Sequence, residues 1–145
     1  MKTKKILFTL ASIAFFAACS IAPKPIAYGD DHCHFCDMTV VDKTHAAEYT
    51  TKKGKSFPFD AIECMVREVV RKDIEKDLAF VLVADYGNPG DLVDAKTATY
   101  LISEAIQSPM GANLSAFSSK ETATSTQKEH GGKLYTWETL KTIIK

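Results

Sequence analysis

The chain has 145 residues, of which 46% are hydrophobic and 25% charged, a composition typical of one globular domain or two small subdomains. Its 18 basic and 18 acidic side chains give a formal net charge of zero. No basic run interleaved with aromatic residues occurs in the sequence, and this excludes a nucleic-acid-binding protein.

Residues 1–18 predict a lipoprotein signal peptide. Three lysines lie among the first five residues, and residues 6–18 are apolar but too short to span a bilayer. The segment Phe16-Ala17-Ala18-Cys19 resembles a bacterial lipobox, which implies cleavage before Cys19 and lipid modification of that cysteine. A plain secretory peptide is the alternative. Cleavage would leave 15 basic and 18 acidic residues, and we expect a domain anchored at the periplasmic side of the cell envelope, in the inner or the outer membrane.

Residues 19–30 predict a short tether, because Pro23, Pro25 and Gly29 favour a semi-extended chain without its own hydrophobic pattern. Beyond the tether, the elements predict an α+β fold of two tandem β-β-α units, over residues 31–92 and 93–145.

The first unit begins with a cysteine-rich segment and continues as a hairpin. Strands are predicted over 46–51 and 56–59, on either side of a lysine-rich loop with a glycine at its turn. A helix follows, with Asp60 and Glu63 as its predicted capping box. A further strand is predicted over 79–84.

The helical period separates two neighbouring sulfur residues of the first unit. Met65 lies within the apolar stripe, which favours a packing role. Cys64 lies on the opposite, polar side and is predicted to be exposed, in the first turn, where backbone N–H groups favour a thiolate.

The second unit repeats the order of strands and helix. Strands are predicted over 97–102 and 113–117, and a polar helix over 118–130, with Ser118 and Glu121 as its capping pair. A short strand over 134–136 and a helix beginning near Trp137 complete the chain. Met110 is predicted to lie on a loop between the strands, since Pro109 and Gly111 flank it.

The cysteine-rich segment predicts a site for a thiophilic metal. Cys33 and Cys36 have the Cys-x-x-Cys spacing, and thiolates and thioethers are soft ligands that suit Cu(I), Zn or Fe–S clusters. Haem attachment is excluded, because Asp37 and not histidine follows Cys36. A thioredoxin-type dithiol would stand at the start of a helix, and no helical pattern begins here.

A structural zinc site stays open as an alternative. It would combine Cys33, Cys36 and Cys64 with one histidine, and His32, His34, His45 and His130 are the histidines of the chain. Met38 and Met110 favour Cu(I) instead, because zinc sites do not use thioethers. No Ser/His/Asp set or separated carboxylate pair predicts an enzyme.

Several of these segments together resemble the NosL family, the accessory lipoproteins of nitrous oxide reductase. The resemblance is carried by Cys33-His34-Phe35-Cys36-Asp37-Met38, the lysine-glycine hairpin, Phe59-Asp60, Cys64-Met65, Ser108-Pro109-Met110-Gly111 and Gly131-Gly132. One departure is Asp37, which stands where the family usually has glycine.

The resemblance implies a periplasmic Cu(I)-binding metallochaperone rather than an enzyme, one that serves the maturation machinery of nitrous oxide reductase. It implies that Cys36, Met38 and Met110 are the principal ligands, and it leaves open whether Cys33 and Cys64 bind as well. A thiol-disulfide reductant that cycles Cys33 and Cys36, and a zinc-stabilised binding module, are the alternative functions.

Overall fold

The computed structural model describes residues 20–145, so the predicted signal peptide and Cys19 lie outside the described residues. Strands and helices alternate along the described chain. In chain order they are β1 (Ala47–Thr51), β2 (Ser56–Phe59), α1 (Ile62–Lys72), a 3-10 turn (Glu75–Asp77), β3 (Leu78–Ala84), β4 (Leu92–Asp94), β5 (Thr99–Ile102), β6 (Leu114–Phe117), α2 (Lys120–His130), β7 (Lys133–Tyr135) and α3 (Trp137–Ile143).

Two antiparallel sheets share one plan. The first has the strand order β2-β1-β3-β4 and the second has the order β6-β5-β7. In each, a hairpin is followed by a helix, and the next strand returns beside the first strand of the hairpin. The predicted α+β fold is confirmed, and each β-β-α unit is extended by a returning strand.

A single main core joins the two sheets through α1. The apolar stripe of α1 is buried from Ile62 to Val69, and Met65 is fully enclosed, as its helical position predicts. Trp137 and Leu140 of α3 and Leu114 of β6 belong to the same cluster of buried side chains. Backbone contacts also link the sheets, because the amide of Tyr86 donates to the carbonyl of Ala116 at 2.8 Å.

Two predicted helix starts are wrong. Ala61 occupies the N-cap position of α1 and no side chain caps this helix, although a capping box of Asp60 and Glu63 was expected. Helix α2 is capped by Ser119, whose hydroxyl accepts from the amide of Thr122, because Ser118 instead donates to Asp85.

The segment predicted as a tether is packed against the first sheet. Ile26 and Tyr28 contact a small apolar cluster of Val40, Ala46 and Ala84. On β1, Glu48 is buried and lies near Lys24 and Asp31.

Strand β4 spans the position predicted as the boundary between residues 92 and 93. It pairs with β3 and so extends the first sheet.

Over the described range, no helix has both the length and the apolar character needed to span a membrane.

Candidate metal site

Three thiols and one carboxylate meet at the start of α1. The Sγ atoms of Cys33, Cys36 and Cys64 and a carboxylate oxygen of Asp60 all lie within 4.8 Å of one another. All three cysteines are free thiols. Three sulfur atoms and one oxygen at this spacing can surround a single metal ion, and thiolates suit soft ions.

A tight loop presents Cys33 and Cys36 from the same side. The amide of Cys33 donates to the carbonyl of Met38 at 2.8 Å, and the amide of Asp37 donates to the carbonyl of Cys33 at 2.9 Å. Asp37 has φ +64°, in the left-handed region that glycine adopts most easily and that aspartate tolerates. The amide of His34 donates to the carbonyl of Pro58 and so fixes the loop on β2.

Asp60 is the residue before the N-cap of α1, and Cys64 lies in the first turn of that helix. The carboxylate of Asp60 accepts from the Cys36 thiol at 3.4 Å, and its other oxygen is buried without a hydrogen-bond partner among the described residues. Cys64 is fully buried, so the prediction of an exposed thiol is wrong. The loop that carries Cys33 and Cys36 covers the polar side of the helix.

The three thiols differ in acidity. A hydrogen bond from the Cys64 thiol lowers the pKa of Cys33 to about 7, despite its burial. Burial raises the pKa of Cys36 to about 11. The pKa of Cys64 is raised by its hydrogen bond to Cys33 and by burial. Cys33 is therefore the thiol that most readily supplies a thiolate, the form that binds metal.

The two methionines predicted as ligands, Met38 and Met110, lie on separate loops. Met38 follows Cys36 by two residues and is 51% exposed. Met110 is half-buried and packs against the main core. Its loop is attached to α1, because one carboxylate oxygen of Glu63 accepts from the Ser108 hydroxyl and from the amide of Ala112.

Sequence reasoning missed Asp60 as a member of the cluster and Glu63 as the support of the Met110 loop. Both residues are interpreted from the sequence as a helix capping box, and that local interpretation accounts for them without any contact to a distant loop. A signal was available, since Asp60 and Cys64 are spaced by about one helical turn and can share a face.

The histidines have other partners. His45 is buried, with Nδ1 at 2.8 Å from Asp42 and Nε2 at 3.2 Å from the Ser115 hydroxyl. His34 stacks on Phe57 with ring centres 4.4 Å apart. Across residues 20–145, His32, His34, His45 and His130 all lie outside the thiol cluster, in which Asp60 takes the place that a zinc site would have given to histidine.

Comparisons with known proteins agree with this description. The family model NosL matches residues 25–143. The copper-binding lipoprotein NosL of Stutzerimonas stutzeri is 26% identical over 129 residues, which cover 79% of this chain and 65% of that protein, so the chain spans about two-thirds of its relative's length.

A solved structure has the same fold. The copper chaperone NosL from Shewanella denitrificans superposes with a TM-score of 0.67 at 22% identity, over 75% of this chain and 88% of the other. The family model covers most of the chain, and the resemblance stated from the sequence is confirmed. This chain belongs to the NosL family.

Proposed function

We propose that this chain binds Cu(I) at the thiol cluster and delivers it for assembly of the copper centres of nitrous oxide reductase. The observation that carries the proposal is the meeting of three free thiols, Cys33, Cys36 and Cys64, beside Asp60 in a NosL-family domain. Two relatives are named a copper-binding lipoprotein and a copper chaperone. Soft sulfur donors favour Cu(I) over ions that prefer oxygen.

Unequal exposure of the donors supports transfer rather than permanent storage. Cys33 and Cys64 lie behind the surface, whereas Cys36 is only partly buried and Met38 is half-exposed. A partner protein can therefore approach from the side of Cys36 and Met38 and replace these donors first. Copper is the cargo in this mechanism, and the domain acts as a carrier and not as an enzyme.

A lipid anchor at Cys19 would keep the carrier at the periplasmic side of the cell envelope. The lipobox-like segment supports this location, and the Stutzerimonas stutzeri relative is named a lipoprotein. The partner that receives copper would then be the maturation machinery of the reductase, or the copper-free reductase itself.

Anaerobic titration tests copper binding. The reduced protein is titrated with Cu(I) in competition with a chromogenic Cu(I) chelator. Removing a residue that supports a metal ligand typically lowers metal affinity by about tenfold or more, and removing a ligand should cost at least as much. Cys36→Ser and Cys64→Ser should therefore each lower the Cu(I) affinity by at least about tenfold. Unchanged affinity in both variants would refute the site.

The methionine assignments need variants that remove sulfur and keep volume. Met38→Leu and Met110→Leu preserve the apolar side chain, because Leu and Met exchange at little cost in packing. Both should weaken Cu(I) binding, whereas Val41→Ala, which truncates an exposed apolar side chain three residues from Met38, should not. Equal affinities of Met38→Leu and Val41→Ala would remove Met38 from the ligand set.

Delivery is tested by mixing the Cu(I)-loaded protein with copper-free nitrous oxide reductase, separating the two proteins and measuring the copper content of each. We expect copper to move to the reductase faster than from an equal concentration of the Cu(I)–chelator complex. If the reductase gains copper no faster than from the chelator, the carrier role is wrong.

A zinc site is the second candidate, because three thiols and one carboxylate also suit tetrahedral zinc. If Zn(II) binds tightly and its removal unfolds the domain, the zinc-stabilised module is correct. The reductant alternative has less support. Cys33, whose thiol is the more acidic, is 2% exposed as a residue, and burial raises the pKa of the more accessible Cys36 to about 11, so neither thiol is both exposed and readily ionised.

A further inference from the structure

The loop between β1 and β2 carries the most concentrated positive charge of the described surface. Lys52, Lys53 and Lys55 are exposed, and we call residues 52–55 the lysine hairpin. Over residues 20–145, none of these three ammonium groups lies within 4.0 Å of a carboxylate oxygen. The positive patch is unusual for this protein, because the chain without its predicted signal peptide would carry a net charge of −3.

Two more lysines and a cavity extend the patch. The amide of Lys24 donates to the Ser56 hydroxyl at 3.0 Å, and the Lys52 ammonium donates to the carbonyl of Lys76 at 2.6 Å. A cavity of about 570 Å³ opens beside the hairpin. Its lining combines lysines with one acid and one aromatic residue: Thr51, Lys52, Lys53, Lys55, Phe57 and Asp77.

The neighbouring acids offset little of this charge. Asp31 lies 3.8 Å from Lys24, and Asp73 lies 3.9 Å from Lys76. These ion pairs involve the flanking lysines, and Asp77 is the acid that lines the cavity beside the lysine hairpin.

The chain reaches the predicted anchor from this same end of the domain. Lys24 is the fifth residue after Cys19, and five steps of extended chain span at most about 18 Å. Because Lys24 is hydrogen-bonded to Ser56 at the base of the lysine hairpin, a lipid on Cys19 would hold this hairpin close to the bilayer.

Exposed apolar side chains accompany the lysines. Ile21 is 40% exposed between the anchor and the hairpin. Phe80 is 37% exposed and pairs in register with Thr50, next to the hairpin. Lysines with interspersed apolar side chains are typical of surfaces that bind anionic membranes.

The thiol cluster lies toward the other end of the hairpin. The cysteine-bearing loop is fixed at Pro58, and Asp60 follows β2. Asp60 is the fourth residue after Ser56, which corresponds to about 13 Å of extended chain. The lysine hairpin and the Asp60 end of the thiol cluster therefore lie at opposite ends of β2.

We propose that the lysine hairpin is a membrane-contact surface that binds the anionic headgroups of phospholipids and holds the anchored domain in one orientation at the bilayer. The inference uses the anchor at Cys19 from the proposed function and is independent of copper binding. Each lysine at an anionic surface favours contact by about fivefold, so three lysines favour the docked orientation by roughly a hundredfold at low salt.

Footprinting of the full lipidated chain tests this orientation. The protein is reconstituted into vesicles of phosphatidylcholine alone, or of two parts phosphatidylcholine to one part phosphatidylglycerol. Lysines are acylated with an amine reagent and the rate at each site is read by mass spectrometry. In the anionic vesicles, we expect Lys52, Lys53 and Lys55 to react more than about tenfold more slowly than in neutral ones. High salt should remove the difference.

Lysines on α2 provide the internal control. Lys120 and Lys128 are exposed on the second unit and should react equally in both vesicles. Equal protection of Lys120 and Lys128 would mean crowding near the bilayer and would overturn the proposal, as would unchanged rates at the lysine hairpin. Protection that appears only when an acidic protein partner is added would assign the surface to that protein and not to lipid.

A variant extends the test beyond the protected lysines themselves. Lys52→Gln, Lys53→Gln and Lys55→Gln are combined, and the reaction rates of Lys24 and Lys76 then report docking. We expect these two rates to become independent of phosphatidylglycerol, and persistent protection would overturn the proposal. Cu(I) titration of the same preparation separates a failure of the copper site from a failure of the membrane contact.

Discussion

Glu48 should make the stability of the domain depend on pH near neutrality. Its side chain is 1% exposed on β1, beneath the segment that precedes the cysteine loop. Burial raises the pKa of this carboxyl to about 7, and a hydrogen bond from Thr50 opposes the shift. The charge of Asp31 raises the pKa slightly further, and that of Lys24 lowers it slightly. The folded state therefore holds a proton that the unfolded chain releases at lower pH.

The sign and size of the effect follow from the two pKa values. The carboxyl has an ordinary pKa of 4.5 in the unfolded chain and a pKa of about 7 in the folded protein. As the pH rises between these two values, Glu48 ionises in the unfolded chain but stays protonated in the folded one, so the free energy of unfolding falls. A difference of this size corresponds to about 3 kcal/mol. Glu48→Gln keeps the shape and stays neutral, so its stability advantage over the parent should grow from nearly zero at acid pH to about 3 kcal/mol above neutrality.

Urea unfolding of the parent and of Glu48→Gln across this pH range measures the difference. Other carboxyls affect both proteins equally, and only the difference between the two curves reports Glu48. Glu104→Gln, on the exposed surface, is the matched control and should change stability little at any pH. If the two curves for the parent and Glu48→Gln stay parallel from acid to alkaline pH, Glu48 is not a buried carboxyl that resists ionisation.

Three further predictions concern loops around the site and the second sheet. Glu63→Ala and Ser108→Ala should each destabilise the domain, because each removes the hydrogen bond between these two side chains. A double-mutant cycle in urea should give a coupling of about 1–3 kcal/mol, and additive effects would contradict this hydrogen bond. Asp37→Gly should be nearly neutral in urea midpoint, whereas Asp37→Val should cost about 1–2 kcal/mol, because φ is +64°. Gly132→Ala would place a methyl group 2.2 Å from a backbone carbonyl oxygen, whereas Gly131→Ala meets open space at a similar positive φ. Thermal unfolding should therefore show the larger loss for Gly132→Ala, by about 1–3 kcal/mol, and equal losses would contradict the close packing.

Much of the fold was predictable because local patterns and tertiary structure agree. The β1–β2 hairpin follows from two short strand patterns around Gly54, whose φ is +81°. The inward position of Met65 follows from the helical period of its neighbours. In both cases the information lies within a few residues.

The surroundings of α1 were not predictable in the same way. The helical period of apolar residues identifies one apolar face of α1. The helix is also buried on its polar side, however, where Glu63 and Cys64 are both fully enclosed. That burial comes from the Cys33–Met38 loop and from the Ser108–Ala112 loop, which are distant in sequence. No pattern within the helix reports what a distant loop will cover, so an exposed Cys64 was the expected but incorrect result.

The same two loops both attach to the start of α1. Asp60 accepts from the Cys36 thiol of one loop, and Glu63 accepts from the Ser108 hydroxyl of the other. Each carboxylate also has a second oxygen that is buried without a hydrogen-bond partner among residues 20–145.

Such unpaired polar atoms lower stability, so their persistence calls for a reason beyond folding. Here the two carboxylates, three residues apart at the start of α1, hold the Cys36 loop of the first unit and the Met110 loop of the second on a single helical turn. An apolar residue at either position would remove the cost of the buried, unpaired oxygen, but it would also remove the hydrogen bonds that attach one loop. We therefore interpret the N-terminal turn of α1 as the element that holds the Cys36 loop and the Met110 loop together.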